Sequence, residues 1–370
     1  MKKIAVVGAT GLVGSVMMKV LEEFGVTGVT LIPAASEKSV GKKVLFDGKE
    51  ISVVSVDDAI AAMPDYALFS AGAGTSKKYA PLFAQVGCTV IDNSSCWRMD
   101  KNIPLVVPEI NMSDVTSETK IIANPNCSTI QMVMALAPIY KNYGIKRLVI
   151  STYQSVSGSG VRGLAHLREE EMLDGSGLGS GLGSGFGSGL ATAPFYPYPI
   201  HRNIIPQGGD FLGAHSLAVG DDSLDEGYTS EEEKLINETR KIFGNRNIRI
   251  TATVTRVPAS GGHSESVNVE TEKPFDIPQV RNDLSRMNGV VVVDNPVGGD
   301  VVYGENKSSD VSKFRYPMPL YSEGSNEVFV GRIRRDNSVE NGLNLWIVSD
   351  NIRKGAATNA VQILLRLIHA

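Results

Sequence analysis

The chain is poor in cysteine. Cys88, Cys96 and Cys127 are an odd number with no CxxC spacing, which argues against a disulfide framework and against a zinc site. Long apolar runs are missing as well: no stretch approaches the roughly 18–20 residues that span a bilayer. The opening Met1-Lys2-Lys3 and the short apolar run after it look only superficially like a signal peptide, because the run passes into a glycine turn instead of a cleavage site. Neither sign of charge prevails, with Lys+Arg 36 against Asp+Glu 40 and a net charge of -4. Nothing here favours nucleic acid or an anionic membrane as partner. These absences lead us to expect a cytoplasmic protein with reduced thiols and no metal. It would capture small anions through a few placed residues.

What is present is an ordinary globular balance, 42% apolar and 21% charged residues over a length of 370 that suits two domains. Residues 3–7 read as a short buried strand, and residues 11–23 carry apolar side chains at helical spacing. Strand-like runs follow at 29–32, 66–69, 89–91, 105–107 and 120–122, alternating with helical stretches such as 76–85. That alternation predicts an α/β domain built on a doubly wound parallel sheet. Beyond Cys127 the texture changes. After a helix over 128–143 and a strand over 146–154, strands at 248–258, 264–272, 289–294, 327–335 and 343–350 have only two helices among them, at 230–243 and 277–287. Strands so close together predict an α+β domain with a mixed or antiparallel sheet. An apolar helix over 354–370 ends the chain and is expected to dock on the first domain. Residues 174–190 repeat Gly-Ser-Gly-Leu with glycine at every second position. They read as a flexible surface insertion (about 174–193) or as a surface for a partner subunit. Residues 206–228 read as loop.

Gly8-Ala9-Thr10-Gly11-Leu12-Val13-Gly14 lies between the first strand and the first helix. There a helix N-terminus offers unpaired N–H groups and a positive dipole end to a pyrophosphate, and glycines let the backbone come close. The spacing GxxGxxG is less specific than GxGxxG, and a structural turn is the plain alternative. After the second strand the residues are Pro33-Ala34-Ala35-Ser36-Glu37-Lys38-Ser39. Ser36, Lys38 and Ser39 suit a 2′-phosphate and hence NADP, whereas Glu37 would repel one if it pointed inward.

Ala123-Asn124-Pro125-Asn126-Cys127-Ser128-Thr129 is the most informative heptapeptide. Pro125 and Asn126 end an extended segment, so Cys127 opens a helix, where the dipole stabilises a thiolate and N–H groups can receive an oxyanion. Such a thiolate forms a thioester from an acyl phosphate or a thiohemiacetal from an aldehyde. A buried inert cysteine is the bland alternative, and Cys88 and Cys96 keep it.

Asn-Cys-Ser/Thr after a GxxGxxG domain resembles the aspartate-semialdehyde dehydrogenase family, and the resemblance runs through nearly the whole chain. It implies Cys127 as nucleophile with Gln154 (in Tyr153-Gln154-Ser155-Val156-Ser157-Gly158) and His263 (in Gly262-His263-Ser264-Glu265) as catalytic partners. It implies substrate contacts from Arg256 for the carboxylate, Glu231 and Lys234 in an ExxK helix, Arg98 for phosphate, and Asn126. Cofactor contacts would come from Gly8, Thr10, Gly11, Leu12, Val13, Gly14, Ser36, Lys38, Ser39, Ser70, Ala71, Gly72, Ser157, Gly158 and Asn351. The implied domains are a Rossmann-like NADP-binding part, 1–126 with 351–370, and a catalytic and dimerisation part, 127–350, in a homodimer. The implied reaction is reductive dephosphorylation of L-aspartyl 4-phosphate to L-aspartate 4-semialdehyde, towards lysine, methionine and threonine. Lys38 stands where the family commonly has arginine.

The residues themselves agree with these roles. Glu231 and Lys234, three apart, share a helix face. Arg256 suits bidentate carboxylate binding, and His263 after two glycines suits proton transfer near neutral pH. Two other readings stay open. One is an N-acetyl-γ-glutamyl-phosphate reductase, which Glu231 disfavours because an acetylated amine carries no charge for it. The other is a non-catalytic dinucleotide-binding regulator, which would be expected to have lost Cys127 or His263.

Overall fold

The computed structural model describes residues 1–175, 195–212, 227–295 and 314–369. Most of the Gly-Ser-Leu repeat and most of the 206–228 segment lie outside the described residues. The chain forms two compact units: residues 1–137 with 237–247 and 352–370, and residues 138–236 with 248–351.

In the first unit, strands β1 (Lys3–Val7), β2 (Thr30–Ala34), β5 (Tyr66–Phe69), β6 (Thr89–Asp92) and β7 (Ile121–Ala123) form a parallel sheet in the order β2-β1-β5-β6-β7. The chain runs from β1 to β2 on one side and then crosses to β5 on the other. The carboxyl ends of β1 and β5 therefore mark the switch point where such sheets bind ligands. Alternate strand residues serve the two faces. Ile4, Val6, Leu31, Leu68, Ile91 and Ile122 pack with helices α1 (Leu12–Glu23) and α10 (Thr358–Ile368). Ala5, Val7, Ala67, Phe69 and Val90 pack with α2 (Val56–Ala61) and α3 (Ala73–Gln85). Strands β3 (Lys43–Phe46) and β4 (Lys49–Ser52) form a separate antiparallel hairpin, and a short α4 spans Pro108–Asn111.

The expected strand at 105–107 is not formed. Leu105 makes one parallel bridge to Ala123, because Pro104 and Pro108 bracket the segment and proline cannot donate to a ladder. The C-terminal helix also differs from expectation. It begins as a π-helical turn, Arg353–Ala357, before continuing as α10.

The second unit holds a six-stranded mixed sheet, ordered β11-β12-β13-β10-β8-β9, from β8 (Arg147–Gln154), β9 (Arg249–Arg256), β10 (His263–Glu270), β11 (Val290–Val292), β12 (Val328–Asp336) and β13 (Gly342–Ser349). β8 runs parallel to β9, and β10 runs antiparallel to β8 and β13. Its helices are α6 (Gly160–Gly175), which the sequence reading missed, α8 (Ile277–Ser285) and the short α9 (Pro319–Ser322). Two helices belong to both units: α5 (Cys127–Tyr143), divided after Ala137, and α7 (Ser230–Ile242), divided after Ile236. The parallel and mixed sheets are those the sequence predicts.

Candidate active site

The glycine turn of the first unit is tightly built. Gly8 has φ +89°, and a Cβ there would lie 2.3 Å from the Ser70 carbonyl oxygen. A Cβ on Gly14 would lie 2.2 Å from the Gly8 carbonyl oxygen. No other residue fits either position, so the N-terminus of α1 sits directly on the turn. Gly11 is the N-cap of α1, with Leu12 and Val13 as its first helical residues. Ser70, Ala71 and Gly72 continue from β5 into α3, with Gly72 as N-cap at φ +79°. Two helix starts and the switch point therefore meet in one cradle, which is the shape a dinucleotide pyrophosphate needs. Beyond β2, Ser36, Glu37 and Lys38 are exposed while Ser39 is buried. The Thr10 hydroxyl donates to the Ser39 hydroxyl at 3.3 Å.

Cys127 is the first residue of α5. The Asn126 side-chain oxygen accepts the Ser128 N–H at 3.0 Å, so Asn126 caps the helix. A Cβ on Gly355 would lie 2.9 Å from the Cys127 Cβ; the π-helical turn thus brings bare backbone against the cysteine. Behind it is a buried polar chain. Asn124 donates to Asn93 (2.7 Å), and Asn359 donates to Asn124 (2.7 Å). The fully buried Lys354 donates to Glu109 (2.7 Å), Gln362 (2.6 Å) and Asn359 (3.2 Å). Arg98 is buried; it donates from Nη1 to Glu238 at 3.0 Å and from Nη2 to the Asn93 carbonyl at 2.9 Å. Its buried Nε has no partner among the described residues. Burial pushes the Cys88 thiol up to about 12, and burial with nearby Asp92 raises that of Cys96. Both are therefore poor nucleophiles.

The sheet of the second unit gathers its residues at one end. Gln154 closes β8, and Arg256 closes the parallel β9 opposite it. His263 opens the antiparallel β10, paired with Ser349, and Asn351 follows two residues later. Strand direction alone thus assembles Gln154, Arg256, His263 and Asn351. Ser155 links them. Its N–H donates to His263 Nδ1 (3.1 Å), which makes that nitrogen an acceptor and leaves the proton of the neutral ring on Nε2; the Ser155 hydroxyl also lies 3.1 Å from Nδ1. Its carbonyl accepts from Arg256 (2.8 Å). The hydroxyls of Ser155 and Ser157 donate to the Asn351 side-chain oxygen (3.2 and 3.1 Å), whose buried Nδ2 has no partner among the described residues. At Gly158 a Cβ would stand 2.8 Å from Arg256 Nη1 and 3.0 Å from His263 Nε2, so only glycine leaves both side chains room. Burial, and secondly the Arg256 charge, bring His263 down to about 3, while Glu231 pulls the other way. The ligand-free ring is therefore neutral at pH 7. Glu231 and Lys234 form an ion pair on α7.

The structure places Arg98, Asn126, Cys127 and the glycine turn in the first unit, and Gln154, Ser157, Gly158, Glu231, Lys234, Arg256, His263 and Asn351 in the second. Sequence reasoning missed Ser155, the neighbour of Gln154. It also missed Glu238, whose position seven after Glu231 and four after Lys234 on one helix is the signal that could have found it. Among the described residues no group of His, Cys, Asp and Glu could hold a metal ion, and no helix is long and apolar enough to cross a membrane.

Residues 3–118 match the family described as semialdehyde dehydrogenase, NAD binding domain, and residues 136–354 match the semialdehyde dehydrogenase, dimerisation domain. Fold and site thus define a nicotinamide-dinucleotide-dependent semialdehyde dehydrogenase, an oxidoreductase acting on an aldehyde group. An aspartate-semialdehyde dehydrogenase of Aquifex aeolicus is 46% identical over 99% of this chain and 98% of its own length. One of Legionella pneumophila is 44% identical over 97% and 94%. The crystal structure of aspartate semialdehyde dehydrogenase II from Vibrio cholerae, complexed with ASA, is 40% identical and covers 100% of this chain and 98% of that one, with a TM-score of 0.86. The chain belongs to the aspartate-semialdehyde dehydrogenase family.

Proposed function

We propose that the chain carries out NADPH-dependent reductive dephosphorylation of L-aspartyl 4-phosphate to L-aspartate 4-semialdehyde through a thioester on Cys127. The observation that carries this reading is Cys127 itself: first residue of a capped helix, faced by glycine backbone, in a chain of this family. Helix-end N–H groups favour a thiolate and receive the oxyanion that forms when it attacks the acyl carbon. Arg98, with an unused buried Nε, and Lys234 hold the phosphate. Arg256 holds the α-carboxylate, Glu231 the α-ammonium, and Asn126 and Gln154 orient the acyl group. His263 is neutral when the site is empty. A phosphate dianion beside it raises its affinity for a proton, so the ring takes one up and returns it to the departing phosphate. Reprotonated from solvent, it then protonates the oxyanion left by hydride addition and, as base, takes that proton back when the thiohemiacetal collapses.

The cradle made by Gly8, Thr10, Gly11, Leu12, Val13, Gly14, Ser70, Ala71 and Gly72 fits a dinucleotide. NADP over NAD is supported by the lack of an acid at the end of β2 and by exposed Ser36 and Lys38 beside the Thr10–Ser39 pair; exposed Glu37 is free to face solvent. Asn351 Nδ2, with Ser157 and the bare Gly158, suits the nicotinamide end. NADPH, when bound, supplies the hydride that reduces the thioester. Residues 1–126 with 351–370 serve the cofactor, and 127–350 serve catalysis and pairing in a cytoplasmic homodimer, in line with the dimerisation-domain match.

The test is turnover of L-aspartate 4-semialdehyde against N-acetyl-L-glutamate 5-semialdehyde, each with phosphate and with NADP or NAD. We expect at least a hundredfold preference for the aspartyl substrate and at least tenfold for NADP. Preference for the acetylated substrate would overturn the substrate assignment, and equal rates with NAD would overturn the cofactor assignment.

A further inference from the structure

We propose that Glu238 is a positioning residue that sets the phosphate-binding arginine and the nucleophile's helix in register; this rests on the reading of Arg98 and Cys127 above. The Glu238 carboxylate is 1% exposed and is used at both ends. Oε1 accepts from Arg98 Nη1 at 3.0 Å, and Oε2 accepts the Asn126 backbone N–H at 2.6 Å. One carboxylate thus joins the guanidinium to the residue that caps α5 immediately before Cys127. Three residues on, on the same face of α7, Lys241 donates to the carbonyls of Arg98 (2.7 Å), Asp100 (2.7 Å) and Ile103 (2.8 Å). Together the two side chains hold the whole Arg98 loop.

By charge alone Glu238 works against the chemistry. A buried anion beside Arg98 weakens its pull on phosphate, and one hydrogen-bonded next to Cys127 disfavours a thiolate. Its contribution is therefore geometric: it fixes which Arg98 donors remain for substrate and holds the Asn126–Cys127 peptide where the helix end faces the reacting carbon. Displacements of about 1 Å already cost on the order of a hundredfold in rate.

The experiment uses the full-length protein, Glu238→Gln and Glu238→Asp. Glutamine keeps the volume, yet its one oxygen cannot accept from both partners; aspartate keeps the charge but is too short to span them. With L-aspartate 4-semialdehyde and NADP, we expect kcat/KM for phosphate to fall at least tenfold in both variants, with KM for NADP within twofold of wild type. A phosphate kcat/KM within twofold of wild type in Glu238→Gln, or restored in Glu238→Asp, would overturn the proposal. Iodoacetamide labelling of Cys127 provides a readout independent of turnover. Loss of position predicts labelling several-fold slower in Glu238→Gln, whereas faster labelling means that Glu238 acts by charge and contradicts the inference. If Glu238→Gln does not fold, Glu238→Asp carries both measurements. Absent turnover in wild type would count against the substrate reading, and the labelling rates would still decide the role of Glu238.

Discussion

Burial decides the protonation of His263, and the consequence can be read in stability. Its folded-state value, about 3, lies below the ordinary 6.5. Above pH 6.5 the ring is neutral folded or unfolded and contributes no pH dependence. As pH falls from 6.5 towards 3 the unfolded chain takes up a proton that the folded one refuses, so stability drops by up to about 1.4 kcal/mol per pH unit from this residue. Urea unfolding at pH 7, 5.5 and 4 checks this: His263→Asn should lose less stability across the series than wild type, and parallel losses would contradict it. Ser155 belongs at the same scale. Nothing in its type or spacing marks it in the sequence, because its role comes from the turn after β8 folding back to the start of β10, a contact between residues 108 apart.

At the scale of elements, what the sequence made legible is what has a buried face. β1 and β5 are predicted at their observed limits, and the remaining predicted strands other than 105–107 fall within a few residues of theirs, since their alternation or continuous burial writes itself into composition. The β3–β4 hairpin was not legible: its strands are short and mostly exposed, and the few residues that pack on the core, Val44, Phe46 and Ile51, make no run long enough to read. α6 begins at Gly160 and contains Gly163, residues that give no helix signal. The π-helical turn at Arg353–Ala357 left no periodic signal either; it is held by the buried Lys354–Glu109 pair and by the fit of Gly355 against Cys127. The candidate site was legible where chemistry needs rare residue types (Cys127, Arg256, His263, the glycines) and silent where a common residue is placed by folding, as with Glu238. For the glycine turn the prediction is steric. Gly14→Ala puts a Cβ 2.2 Å from the Gly8 carbonyl oxygen, so α1 must shift away from the cradle. We expect NADP affinity to fall at least tenfold by fluorescence titration; unchanged affinity would show that the turn does not hold the dinucleotide.

At the scale of the whole molecule, two units divide the labour. The first contains Cys127 and the glycine turn, and the second contains Gln154, Arg256, His263 and the wide mixed sheet of the dimerisation-domain match. Family membership follows from relatives spanning nearly the full length, with both domains in order. The residue roles are proposed from their chemistry, and the central claim among them is the acyl thioester on Cys127. Its most direct test omits phosphate. With L-aspartate 4-semialdehyde and NADP alone, the aldehyde is oxidised onto the thiol and the acyl group has no phosphate to leave with. The account predicts a burst of one NADPH per chain and an aspartyl adduct on the peptide containing Cys127, both abolished in Cys127→Ala. A burst that survives in Cys127→Ala, or an adduct on Cys88 or Cys96, would contradict it.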